Sequence, residues 1–405
     1  MKISKLYVNN FRSLVDFRVD EFDSTTIFYG QNNAGKSNIL KILELIFKRK
    51  VQYAEGDFTD PKNFYEGVIR GFSNNFFNNN KNLTIDFSVN VELSKSETVI
   101  KDVINKLFKK WPTELTISIE GKITNSIRGE DLAEIQTNRI KVNDVTIYEA
   151  DLKSISFFPT LQTKEAKNLG ELSIAFSHFI NPLNDSVYVI GSNRETHPTQ
   201  FNNELLTSFT PADFKKSLYS LYLNETKHTA FEEISSIYND EPFSFGTLSF
   251  SSHNDELEIM IKNDGIRLPI KHLGSGAEQI LFIIACLVYT KSKILCIEEL
   301  EQNLSPKLQN LALLKIQSMI GRNLDQIILS SHSSVFAKTK RSQAIYLIER
   351  KDLKTFVSER LNKKYGTKIK SHLIDTALPH DTYTEDELKR NFEEVKKLSE
   401  ERFKM

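Results

Sequence analysis

Gly30-Gln31-Asn32-Asn33-Ala34-Gly35-Lys36-Ser37 fits the spacing G-x-x-x-x-G-K-[ST] without a mismatch. Each residue type has a task in that pattern. The two glycines let the backbone bend closely enough for its N–H groups to face phosphate oxygens. Lys36 brings a point charge to a β/γ-phosphate pair. The Ser37 hydroxyl suits a Mg²⁺ ligand, and Asn38 follows in the first helical turn. Glycine is scarce here, 15 in 405 residues, so two of them at this spacing carry weight.

Three further segments carry chemistry. Ile294-Leu-Cys-Ile297 is an apolar strand ending in two carboxylates, Glu298 and Glu299. Beside a phosphate loop the first would help hold Mg²⁺ and the second would polarise an attacking water. Alone, such a pair also describes a solvated strand end. Leu273-Gly274-Ser275-Gly276-Ala-Glu-Gln279 precedes an apolar helix. It reads either as a second helix N-terminus suited to an anion or as a tight loop. Leu329-Ser-Ser-His332 places an imidazole at another strand end.

These residues need a scaffold, and the periodicities outline one. Thr25 to Tyr29 is a β-rich run entering the loop, and Ile39, Leu40, Leu43, Ile46 and Phe47 then share one helical face. Leu83, Ile85, Phe87, Val89 and Val91 alternate, as do Leu115, Ile117 and Ile119, then Ile140, Val142, Val145 and Ile147. These predict an antiparallel accessory sheet over residues 83–150. A Lys-rich helix is predicted for residues 96–111. A helical insertion is predicted near 200–240 and a meander for 243–270, with a turn at Asn263-Asp-Gly265. Ser186 to Ile190 reads as a strand leading to Arg194, and Ala344 to Ile348 as the last strand of the core. Residues 351–405 read as a basic segment followed by a charged C-terminal helix, with a capping-box pattern at Thr384 to Glu387. The expected fold class is an α/β P-loop NTPase head over residues 1–350, with a mixed central sheet.

Composition bounds the partners. Lys plus Arg and Asp plus Glu number 53 each, which excludes a globally basic nucleic-acid coat but not a local patch. Lys101, Lys106, Lys109 and Lys110 form one candidate patch, and Lys351 to Lys370 another. No window approaches the roughly 18 apolar residues of a membrane span. Cys286 and Cys296 both lie in apolar segments and read as buried free thiols of a cytoplasmic protein.

Together the motifs resemble the RecF-like and SMC-like ABC ATPases. Within them they are most similar to the OLD-family ATPases and the stand-alone ATPase subunits of bacterial anti-phage systems of the PARIS, Septu and AbiL-like kinds. Residues 3–14, the phosphate loop, Tyr188 to Arg194, Leu273 to Gln279, Glu298 to Pro306 and Leu329 to His332 carry the likeness in order. The resemblance implies ATP and Mg²⁺ as cofactors. Gly30 to Asn38 would hold the phosphates, with Ser37 and Glu298 on the metal. Glu299 and His332 would act on the γ-phosphate beside Lys36. Gly274, Ser275 and Gly276 would cap a partner subunit's nucleotide, so the active unit would be at least a homodimer. Arg12 would approach the base or ribose, and Gln52 would be the Q-loop glutamine. Arg194 is left with two readings, a surface salt bridge or a catalytic role.

This sequence departs from the family at Leu300, Asn303, Ser305 and Gly274, which implies slow or trigger-dependent hydrolysis. A separate nuclease or toxin is the implied effector. The alternatives are a RecF-like repair ATPase binding DNA directly, a transporter subunit, or a non-catalytic protein with ATP as a structural ligand.

Overall fold

The computed structural model describes residues 1–47, 66–70, 76–78, 83–93, 115–125, 132–143, 145–150, 155–156, 183, 186–192, 194, 211–253, 256–289, 292–322, 324–337 and 344–361. The predicted helix at 96–111 with its lysines, Gln52, Asn193 and the predicted C-terminal helix lie outside these residues. Contacts divide the chain into Met1–Leu361 and Asn362–Met405.

The site is built on a six-stranded sheet. Its strands are β3 (Thr25–Tyr29), β10 (Val187–Ile190), β14 (Ile294–Glu298), β15 (Gln326–Ser331), β16 (Ala344–Lys351) and β17 (Lys354–Arg360). The order is β10-β14-β15-β3-β16-β17, parallel except for the antiparallel edge β17. All of β3 and β15 is buried, as expected of parallel strands covered on both faces.

The period of two sorts these strands between two cores. Phe28, Ile294, Cys296 and Ile328 face one cluster. Ile27, Tyr29, Leu295, Ile297, Ile327 and Leu329 face the other. The first core is shared with α1 (Lys36–Phe47) and an antiparallel sheet. That sheet contains β1 (Lys2–Asn9), β2 (Phe17–Val19), β4 (Glu66–Arg70), β5 (Thr84–Leu93), β6 (Leu115–Asn125), β7 (Leu132–Val142), β8 (Val145–Ala150) and β9 (Ile155–Ser156). Its order is β2-β1-β5-β6-β7-β8-β9, with β4 on β7. The predicted accessory sheet is thus continuous with the N-terminal strands. Gln326, fully buried, joins the two sheets: it accepts from Ile3 N at 2.8 Å and donates to Ile3 O at 2.8 Å.

The second core carries α2 (Phe214–Leu223), α3 (His228–Asn239), α4 (Ser275–Tyr289), α5 (Pro306–Ser318) and the short α6 (Ser334–Ala337). The predicted meander is there too: β11 (Thr247–His253), β12 (Glu256–Asn263) and β13 (Ile266–Pro269). Asp264 and Gly265, at φ +48° and +80°, make the tight β12–β13 turn. Among the described residues no helix is long and apolar enough to cross a membrane.

One expectation needs correction. The sheet does not end at Ile348. β16 continues to Lys351 and turns into β17. Only one face of β17 is covered, through Thr355 and Val357, and the other face shows Lys354, Phe356 and Ser358 to solvent. That one-sided pattern, inside a Lys/Arg-rich stretch, hides the strand from a search for apolar runs.

Candidate active site

The phosphate loop, the acidic pair and the imidazole all sit at the C-terminal ends of parallel strands, where open α/β sheets bind ligands. β15 lies between β3 and β14, so adjacent strand ends present them side by side. Gly30 N donates to Ser331 O at 3.2 Å, and Glu299 N donates to Ser330 O at 2.9 Å.

Gln31, Asn32, Asn33 and Ser37 are exposed, whereas Ala34 and Lys36 are buried. The Lys36 ammonium donates to Gly30 O (2.8 Å) and Gln31 O (2.7 Å), across the mouth of the loop. Burial lowers its pKa. The charges of Glu299, Glu301 and Glu298 oppose that shift, so all three carboxylates reach Lys36. α1 opens at the loop with no acidic residue in its first turn, leaving its positive end uncompensated by its own side chains. These features fit an anionic phosphate chain. Among the described residues no group of three or more His, Cys, Asp or Glu side chains could cage a metal.

The loop's glycines meet protein on their outer side. A Cβ on Gly30 would stand 2.3 Å from Ile348 O, and one on Gly35, at φ +98°, 2.0 Å from Thr355 Oγ1. Thr355 is buried and its Oγ1 lies 2.8 Å from Ala34 O and 2.7 Å from Ser13 Oγ. A hydroxyl has one proton. With Thr355 donating to Ala34 O, Ser13 donates to Thr355 and accepts from Asn38 Nδ2 at 2.8 Å. Asn38 Oδ1 accepts from Arg12 Nη1 at 3.0 Å, and the Arg12 guanidinium stacks 4.5 Å over the Phe76 ring. Arg350 Nη1 donates to Asn33 Oδ1 at 2.9 Å.

Glu299, just past β14, has φ +48°, a left-handed backbone uncommon outside glycine. Arg194 holds that kink. Its Nη2 donates to the Glu299 carbonyl at 2.5 Å and to Gln302 Oε1 at 3.4 Å. Arg194 is 1% exposed, which removes the surface salt-bridge reading. Its Nε and Nη1 are buried without a partner. Burial lowers its pKa, against the charges of Glu301, Glu299 and Glu298.

Glu301 and Thr355 belong to the site and were missed from sequence. Glu301 Oε1 accepts from Ser331 Oγ (2.8 Å) and His332 N (2.6 Å) and lies 3.1 Å from His332 Nδ1. Its signal was a third carboxylate in Glu298-Glu-Leu-Glu301, two residues on and separated by a fully buried Leu300. Thr355 gave no local signal.

Gly274, at φ +92°, and Ser275 are exposed at the N-terminus of α4. A Cβ on Gly276 would stand 2.9 Å from Asn303 O and 3.4 Å from Leu304 Cδ2, so this loop packs on the segment following the acidic pair. The structure therefore brings together Lys36, Glu298, Glu299, Glu301, Arg194 and His332, with Arg12, Ser13 and Thr355 behind the phosphate loop. Gly274 to Gly276 rest against Asn303 and Leu304.

A phosphate loop and an acidic strand end on a parallel sheet define a P-loop ATPase. The AAA ATPase domain family matches residues 1–337, and the chain belongs to that family. It is an ATP-binding protein and an ATPase. It is 21% identical over 349 residues to an "ATP/GTP phosphatase" of Helicobacter pylori (strain ATCC 700392 / 26695), covering 82% of this chain and 86% of that protein. Among solved structures it is similar to the SMC head domain from Thermotoga maritima, at 14% identity and a TM-score of 0.41, covering 88% of this chain and 98% of that one. It is also similar to the Smc head bound to the C-terminal domain of ScpA derived from Pyrococcus furiosus, at 13% identity and a TM-score of 0.45, covering 88% and 95%.

Proposed function

We propose that this ATPase closes as a homodimer around ATP and Mg²⁺, and that it is the sensor and scaffold of a bacterial anti-phage system with a separate nuclease or toxin effector. The observation that carries the two-chain reading is the exposure of Gly274 and Ser275 on a loop braced by Asn303 and Leu304. A braced but exposed helix start is suited to cap a phosphate brought by a second copy. The order of motifs along residues 1–350 supports the defence role.

In this reading Gly30 to Gly35 wrap the phosphates and Lys36 neutralises them. Ser37 and Glu298 take the metal, and Glu299 orients the attacking water. His332 contacts the γ-phosphate. Arg12 stands beside the nucleotide, since its guanidinium is next to Asn38 and the Glu298 charge reaches it. Bound ATP with Mg²⁺ supplies the scissile bond and partly neutralises its charge.

Two measurements test this. Light scattering of Glu299→Gln with ATP should show a dimer that Lys36→Ala does not form. A monomer under both conditions removes the two-chain reading. A plaque assay of the gene with its neighbours, against the Lys36→Ala version, should show protection lost in the variant. No protection from any phage, together with salt-sensitive duplex-DNA binding by the purified protein, would favour a repair role instead.

A further inference from the structure

We propose that Glu301 is the positioning residue of the site: it fixes the His332 imidazole so that Nδ1 is committed to the protein and Nε2 is presented to the nucleotide. The proposal rests on the reading of His332 as the γ-phosphate contact and deepens it.

The geometry begins with Leu300. It is fully buried between Glu299 and Glu301, so the loop turns over it and sends the next side chain inward. Glu301 is 6% exposed. A carboxylate at that depth is costly unless hydrogen-bonded. Its Oε1 draws together the Ser331 hydroxyl at 2.8 Å, the His332 backbone N–H at 2.6 Å and the His332 ring Nδ1 at 3.1 Å. The charge of buried Arg194 reaches it from the same interior.

An ionised carboxylate only accepts hydrogen bonds. At 3.1 Å a lone pair on Nδ1 would face the carboxylate oxygen, so the contact favours the proton on Nδ1. The backbone N–H bond to the same oxygen pins the residue at its root, so the ring is held at two points. Nε2 is left at the far side of a side chain that is 47% exposed. Which nitrogen of a histidine is available is set by the hydrogen bond the other one makes. Here the Nδ1 contact runs to the loop that carries Glu299, so the proposed base and the proposed γ-phosphate contact share one brace. Ser333 extends it: Ser333 N donates to Ser331 Oγ at 2.9 Å, and Ser333 Oγ donates to Gln309 Oε1 at 2.6 Å.

A purely structural Glu301 would staple the end of β15 through Ser331 and the backbone, with no consequence for the ring. The two roles are separable. In full-length protein with ¹⁵N-labelled histidine, the His332 resonances are assigned by their loss in His332→Gln. The proposal expects a protonated Nδ1 without any nucleotide present. An unprotonated Nδ1 overturns it, and this arm holds whether or not the protein turns over ATP. In ATPase assays Glu301→Ala should lower kcat on the order of 10- to 100-fold, with KM changed far less. The double variant Glu301→Ala/His332→Ala should be no slower than His332→Ala alone, because the two act as one unit. Glu301→Gln keeps an acceptor oxygen and should recover most of the lost kcat. Multiplying losses in the double variant, or a Glu301→Ala protein with the parent kcat, overturns the proposal. If Glu301→Ala does not fold, the tautomer measurement on the unchanged protein decides it.

Discussion

The Thr355 hydroxyl lies 2.8 Å from the carbonyl oxygen of Ala34, more than 300 residues away in sequence, and occupies the space a Cβ on Gly35 would need. The edge hairpin β16–β17 thus seats the phosphate loop from behind. Thr355→Val keeps the shape and removes the hydroxyl, stranding Ala34 O and leaving the Ser13 hydroxyl with Asn38 as its remaining partner. A buried group left without its partner costs about 1–3 kcal/mol. The expected result is a lower melting temperature and weaker binding of a fluorescent ATP analogue. Thr355→Ser should restore both. An unchanged melting curve for Thr355→Val would show that the hairpin does not hold the loop.

The same packing changes why the loop needs glycine. The spacing of Gly30 and Gly35 is legible in sequence, and its chemistry assigns both to close approach of phosphate. The structure adds a second demand from the opposite side, where Ile348 O stands in the way of any Cβ at Gly30. Gly30→Ala should therefore destabilise the nucleotide-free protein. A clash with a backbone oxygen is relieved only by moving the strand, with a cost of about 1–3 kcal/mol by analogy with overpacked cores. Differential scanning calorimetry without nucleotide is the check. A normal melt with lost ATP binding would leave phosphate approach as the sole reason.

What sequence showed and what it hid divide along one physical line. Local periodicity marked β3, α1, the alternating strands of the accessory sheet and β11–β12 of the meander, because each buries one face or both; the exposed β13 is marked by its turn residues Asn263-Asp-Gly265. The ends of β14 and β15 were visible because apolar runs stop abruptly after Ile297, at Glu298, and after Leu329, at Ser330-Ser-His332. Thr355 was hidden because its partners, Ser13 and Ala34, come from the other end of the chain. Arg194 was left undecided because its single clue, an arginine after a strand, says nothing about burial. Here that arginine is buried against the backbone of Glu299.

Arg194 gives the next expectation. Its grip on the Glu299 carbonyl fixes a left-handed residue whose side chain is proposed to orient water. Displacing a reacting group by about 1 Å can cost 10²-fold in rate. Arg194→Lys keeps the charge but is shorter and ends in a compact ammonium in place of the planar guanidinium whose Nη2 reaches Glu299 O and Gln302 Oε1. It should retain ATP binding and lose most turnover. Equilibrium binding and steady-state hydrolysis on the same preparation separate the two effects. Parent-like turnover in Arg194→Lys would remove the positioning role.

The two cysteines lie on opposite faces of the six-stranded sheet, Cys296 in the first core and Cys286 in the second, and neither is in a disulfide. Burial pushes the Cys286 thiol up to about 12, and only weaker influences from the Tyr188 hydroxyl and the Arg194 charge pull the other way. A thiol with a raised folded pKa is protonated in the native state and ionises more readily once unfolded. Its contribution to stability is complete below the unfolded pKa, about 8.5. It is lost as pH rises from there toward 12. Two results are expected. Iodoacetamide at pH 8 should leave Cys286 unmodified in folded protein and alkylate it in urea, as read by peptide mass. The melting temperature should fall between pH 9 and 11, and Cys286→Ala should flatten that slope while lowering stability at pH 7 through lost packing. Rapid alkylation of the folded protein would mean that α4 opens on the timescale of labelling.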